Sequence, residues 1–256
     1  MSLDTALFYA GIAVEAAAIL VLFRQKITRT LPVFSTYIVF SLLNDLGMLL
    51  VRNYFPHSYW TAFEIEKPLD SVLQFGVLVE LAWSVLKPYR AALPRSAIGA
   101  VAFLVLLAGA AAWPVTGLTV PHNFPAYWRT LMRIDQSFSI LRIFTFLGMA
   151  GLSQLLAIGW RNRELQVATG LGIYSIASMG AAVLHTHVAL SAQFLAIEDL
   201  AAASYICSMV YWIWSFLQKE APRQEFSPKM QNLLLTVAGA ARANRVALDD
   251  LRKSKP

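Results

Sequence analysis

Seven apolar stretches constrain this chain more than anything else in it. They run approximately Thr5–Phe23, Leu31–Val51, Leu69–Leu86, Ile98–Val115, Ser137–Ile158, Val167–Val188 and Ala192–Leu217. Each is near the ~20 residues an α-helix needs to cross ~30 Å of hydrocarbon. Lipid offers no water to unpaired backbone groups, so runs of this length cross it as helices that satisfy their own N–H and C=O groups. Composition agrees: 57% of the 256 residues are apolar and 14% are charged, against about 25% charged in a soluble domain. One membrane domain accounts for this length better than two soluble ones.

The basic residues orient the spans. Arg24, Lys26 and Arg29 follow the first span, Lys87, Arg90 and Arg95 the third, and Arg161 and Arg163 the fifth. The tail after the seventh adds Lys219, Arg223, Lys229, Arg242, Arg245, Arg252, Lys253 and Lys255. The opposite side carries only Arg52, Lys67, Arg129 and Arg133. The positive-inside rule then puts the N-terminus outside and the tail in the cytoplasm. Aromatic belts agree, with Tyr59, Trp60, Trp113, Tyr127 and Trp128 at the outer boundary and Trp83, Trp160, Trp212 and Trp214 at the inner one. The net charge of +6 follows from this topology and calls for no nucleic-acid partner. The opening MSLDTALF has no basic residue before its apolar run, so it reads as an uncleaved first span. The single cysteine, Cys207, excludes an intramolecular disulfide framework and an all-thiolate metal site.

The expected architecture is an all-α, integral-membrane bundle of seven helices over residues 1–218, in the plasma (inner) membrane. A cytoplasmic tail over 219–256 carries an amphipathic helix at about 228–251. Ser227 and Pro228 suit its N-cap and first helical position. Met230, Leu234, Val237, Leu248 and Leu251 fall at the spacing of a coiled-coil seam. A protein partner, self-association, or a place on the inner leaflet with Lys229, Arg242 and Arg245 near anionic lipid all fit that helix.

Function is sought where apolar spans carry charge, because an ionisable group in hydrocarbon faces a bundle interior or wet cavity and needs a partner. Glu15 lies near mid-depth of the first span, and Asn44 and Asp45 lie in the second. Interhelical hydrogen bonding as structural glue and a functional role both fit them. Pro68 divides Glu64, Glu66 and Lys67 from Asp70 and Glu80, so either the third helix starts there or one long helix kinks and frees backbone acceptors. Arg133, Asp135 and Arg142 in the fifth stretch cannot all share one helical face. Arg142 cannot shed its charge, so it needs a carboxylate from another helix or water. Asp45, Glu64, Asp70 and Glu198 are the candidates. Glu198 and Asp199 open the seventh span, and nearly all these groups gather toward the outer half, with Glu80 deeper. The ligand-pocket candidates are therefore Asp45, Glu64, Asp70, Glu80, Arg133, Asp135, Arg142, Glu198 and Asp199.

Specific chemistries find less support. His185 and His187 are possible metal ligands, but i and i+2 point to different sides of a helix, so they would serve only in a frayed end. There is no H-E-x-x-H, G-x-S-x-G or phosphate-cradling glycine loop, so no catalytic residue is assigned and no cofactor is called for. Phe55-Pro56-His57-Ser58-Tyr59-Trp60 and Phe124-Pro125-Ala126-Tyr127-Trp128 echo one another, either as a duplicated helix pair or as helix starts with interfacial anchors. The phrase Tyr59, Trp60, Glu64, with Leu78-Val79-Glu80 and Lys87-Pro88-Tyr89, resembles uncharacterised multi-pass membrane proteins of bacteria, a likeness that implies no activity. The topology is also similar to seven-helix input modules of bacterial sensor proteins. The expectation is a sensory or accessory membrane protein that binds a small ligand or ion from outside and relays through its tail. A small transporter or proton-coupled channel is the alternative, and a membrane enzyme on a lipid-linked substrate the third.

Overall fold

A computed structural model describes residues 3–85, 97–116, 125–151, 162–185 and 191–219, together with Thr236. It is all-helical, with helices α1 (Leu3–Arg24), α2 (Pro32–Tyr54), α3 (Tyr59–Val85), α4 (Ala97–Thr116), α5 (Ala126–Gly151), α6 (Arg163–His185) and α7 (Ser191–Leu217). Single 3-10 turns, Ile27–Arg29 and Pro56–Ser58, precede α2 and α3. The tail positions Met230, Leu234, Val237, Leu248 and Leu251 lie outside the described residues.

Six of the helices are long and apolar enough to cross a membrane. The described part of α5, Ala126–Gly151, carries Arg129, Arg133, Asp135 and Arg142 and is more polar than the other six. Its start at Ala126, well before the expected Ser137, has the same origin: charged residues interrupt the apolar pattern but favour helix no less. The helices close a ring in the order α1, α2, α3, α5, α6, α7, with α7 returning to α1, while among the described residues α4 packs against α3 and α5. The outside of the ring is apolar: Leu20, Leu43, Val72, Phe103, Leu104, Phe144, Leu147, Leu200 and Trp214 are all exposed. A surface this greasy fits a hydrocarbon solvent.

Side-chain contacts set the directions of the helices and distinguish two ends. Phe34 at the start of α2 meets Trp212 and Phe216 at the end of α7, with ring centroids 5.0 and 6.1 Å apart. Leu22, Ile27, Leu31, Leu81, Leu165, Met209 and Trp212 join them in the buried core, which makes this the packed end. Trp212 is 2% exposed and donates its Nε1–H to Gln166 O, so it is a core residue rather than the interfacial anchor expected of it. Arg163 opens α6 here by donating to the carbonyls of Ser215 and Gln218 at the close of α7, satisfying acceptors that a helix end leaves bare. At the other, aromatic end Trp60 of α3 meets Trp128 of α5 at 5.9 Å, so Tyr59-Trp60 and Tyr127-Trp128 lie side by side at the starts of parallel helices.

Two local problems in the sequence are solved by neighbouring helices. Pro68 lies inside a single continuous α3, the second of the two outcomes left open. Proline removes the N–H that would have bonded to the carbonyl four residues earlier, and Tyr127 OH of α5 donates to that carbonyl, Glu64 O, at 3.3 Å. Helix α2 starts after Leu31, which has no side chain to cap it. Glu80 of α3 takes that place, its Oε1 and Oε2 accepting from Val33 N at 2.9 Å and Phe34 N at 2.8 Å. A carboxylate is favoured there by the partial positive charge of a helix N-terminus. Glu80→Ala is expected to lower stability by about 1–3 kcal/mol, the cost of leaving buried donors unsatisfied. Glu80→Gln, which keeps one acceptor, should melt between that variant and the parent in detergent. Three equal melting temperatures would show that the cap contributes nothing.

Candidate functional site

Toward the aromatic end, polar side chains of six helices turn inward. The deepest set joins α1, α2 and α7. Glu15 is 0% exposed, and its Oε1 accepts from Ser41 Oγ at 2.7 Å and from Tyr205 OH by a short hydrogen bond. Ser41 and Tyr205 hydroxyls also lie 3.0 Å apart. Tyr205 then stacks edge-on against Tyr174 of α6, centroids 5.5 Å apart.

Tyr174 leads to Arg142 of α5, whose guanidinium carbon lies 5.3 Å from the Tyr174 ring centroid. Arg142 is 3% exposed, and its Nη2 donates to Ser139 Oγ at 2.8 Å. Its Nε and Nη1 have no hydrogen-bond partner. Bringing a charge out of water costs several kcal/mol even after relaxation. One charge-assisted hydrogen bond of about 1.5–3 kcal/mol and a cation–π contact of about 2 kcal/mol do not clearly offset that.

The third set lies on α3 facing α5. Lys67 Nζ stands 3.9 Å from Glu66 Oε1 and over the Phe63 ring. Asp70 accepts from Gln74 Nε2 at 2.6 Å. Asp70, Asp135, Arg142 and Lys67 all act electrostatically on Tyr174, and Asp70, Asp135 and Arg142 act on the buried Tyr37 of α2. Asp45 lies within electrostatic reach of Glu15, Glu66 and Lys67 and so joins the first set to the third.

The expected pocket residues therefore divide. Asp45, Asp70, Asp135 and Arg142 come together, with Glu66 and Lys67. Glu80 lies elsewhere, on the α2 amides. Glu64 contributes its backbone carbonyl to the Tyr127 bond. Arg133 is half-buried, with an Nε that lacks a partner. Asp199 is half-buried near the start of α7. The side chains of Glu198 and His185, and all of His187, lie outside the described residues. The expected carboxylate partner of Arg142 is not found among Asp45, Glu64 and Asp70: within the described residues, the ion pair closer than 4.0 Å is Lys67–Glu66. The Tyr174 ring and Ser139 stand in that place.

Tyr37, Tyr174, Tyr205, Ser41 and Ser139 are members that charge alone does not reveal. The tyrosines had a sequence signal. Tyrosine in a span is enriched at the interfaces, and these fall well inside their helices, where a buried hydroxyl needs a partner. No family model, curated protein or solved structure matches this sequence.

Proposed function

We propose that this chain is a multi-pass protein of the bacterial inner membrane, sensory or accessory in kind. It takes a small polar ligand or ion into the aromatic half of the bundle from outside and relays the event through its cytoplasmic tail. All seven helices span in this reading, with the N-terminus outside. Helix α5 is included because its charges are within reach of groups on α2, α3 and α6 rather than alone in lipid.

The observation that carries this reading is an asymmetry along the bundle. The charges that lack close partners converge in one half, while the other is packed by Leu22, Phe34, Leu81, Trp212 and Phe216, none more than 2% exposed, and its own Glu80 and Arg163 are taken up by backbone amides and carbonyls. A cluster of polar groups in one half, above a tightly packed half, suits binding better than conduction. Arg24, Lys26 and Arg29 lie at the packed end, which supports its cytoplasmic placement. The lining of mixed sign supports a polar occupant.

Access is the first test. In a Cys207→Ser background, Asp70→Cys is expected to react with a membrane-impermeant maleimide in intact spheroplasts, and Lys26→Cys only after permeabilisation. The reverse pattern would invert the orientation and sink the outward site. Relay is tested by deleting residues 220–256, which should leave ligand protection of Asp70→Cys intact and abolish co-purification of a cytoplasmic partner. A tail that cross-links to lipid alone would remove the relay. Ion flux through proteoliposomes, lost in Asp45→Asn, would replace this reading with transport.

A further inference from the structure

We propose that the ligand of this site is a small zwitterion, a molecule with one carboxylate and one ammonium group a few bonds apart, held between Arg142 and Asp135. This deepens the binding role above and rests on it.

The two residues are seven positions apart on α5. At ~100° per residue that spacing returns to within about 20° of the same helical face, and at ~1.5 Å per residue it separates the two Cα atoms by about 10 Å. Helical side chains lean toward the N-terminus, and Arg142 does so, bonding to Ser139 three residues before it. The guanidinium therefore sits near the level of Ser139. About 6 Å of helix axis remains between that level and Asp135, at ~1.5 Å per residue.

What is left unanswered at each end fixes the chemistry. The Nε and Nη1 of Arg142 have no acceptor although the residue is 3% exposed, and a guanidinium cannot lose its charge to relieve this. No basic group lies within 4.0 Å of Asp135 among the described residues. Two nearby charges on α3 are already engaged. Lys67 stands by Glu66 and over Phe63, and Asp70 takes Gln74. One donor set and one carboxylate are thus free on a single face.

A lone carboxylate ligand would satisfy Arg142 but place a third or fourth negative charge beside Asp70, Asp135 and Glu66 in a poorly solvated space. A lone ammonium ligand would leave Arg142 without an acceptor. A zwitterion answers both demands and leaves the net charge of the interior unchanged. Its carboxylate would sit on Arg142, whose other face is backed by the Tyr174 ring, and its ammonium on Asp135.

The test uses the full-length protein purified in detergent. Its thermal unfolding is followed with glycine, β-alanine and 4-aminobutyrate, which step the distance between the two charges, and with acetate and methylammonium as half-ligands. At least one of the three amino acids is expected to raise the melting temperature saturably by several degrees, while acetate and methylammonium at equal concentration do not. Arg142→Met and Asp135→Asn should each abolish the rise while remaining folded by size exclusion. If Arg142→Met fails to fold, Asp135→Asn with the same titration decides alone. No rise with any amino acid, or an equal rise with acetate, overturns the zwitterion. If Asp70→Cys is still reached from outside in that case, the outward site survives and only its ligand class is lost. An amino-acid response together with a cytoplasmic partner that still co-purifies after deletion of 220–256 would retain the ligand and remove the relay.

Discussion

Gly170→Val is expected to leave little folded protein in detergent, the largest effect of any single change in the bundle. A Cβ at Gly170 would lie 2.2 Å from Nε1 and 2.5 Å from Cε2 of Trp212, distances no real Cβ contact adopts. The indole has nowhere to go. It is buried, donates to Gln166 O at 3.1 Å, and packs edge-on against Phe34 at 5.0 Å. Overpacking a tight core costs about 1–3 kcal/mol where neighbours can yield, and here α6 and α7 would have to separate. A loss of about 3 kcal/mol or more is expected for valine, and a smaller one for Gly170→Ala. Gly180→Ala is the control, since nothing lies within 4 Å of its added Cβ. Fluorescence-detected size exclusion and thermal unfolding read the series. A Gly170→Val protein that melts with the Gly180→Ala control would mean that α6 and α7 do not pack as described.

Arg142→Met should have the opposite sign, raising stability in ligand-free detergent by about 1–3 kcal/mol, the cost of buried donors left unsatisfied. Methionine fills similar space, keeps the contact with the Tyr174 ring and carries no charge. The lost bond to Ser139 reduces the gain. Loss of the positive charge near Asp70 reduces it less, because Lys67 acts on Asp70 more strongly than Arg142 does. A residue that destabilises the empty protein is retained for something other than folding, and strain of this kind gathers at binding sites. Thermal unfolding of parent and variant side by side decides it. A fall of several degrees for Arg142→Met would make Arg142 structural glue and would remove the main support for a ligand at that position.

Some of the site was readable before any geometry. Asp45, Asp70, Asp135 and Arg142 stand out because charge in an apolar run is expensive, and that cost is the same whichever helix lies opposite. Glu80 looked like their equal for the same reason. Nothing in the run Leu78–Leu86 says that its carboxylate would meet the bare amide of Val33, 47 residues earlier, in the first turn of another helix. Likewise, which glycine of α6 leaves room for a side chain depends on where Trp212 and Phe146 lie: Gly170 and Gly172 leave none, and Gly180 does.

The sequence by itself determined that the chain is helical and where the apolar core of each helix lies, though not the early starts of α3 and α5, because hydrocarbon forces long apolar segments to satisfy their own backbone. It determined too which side chains would have to seek partners. Tertiary structure alone decided who those partners are: α3 capping α2, Tyr127 taking the carbonyl freed by Pro68, and a tyrosine ring beside Arg142. The physical reason is range. Helix formation and burial cost act over a few residues or on one side chain. The meeting of two polar groups far apart in the chain depends on how seven rods rotate and lean together, and no local pattern records that.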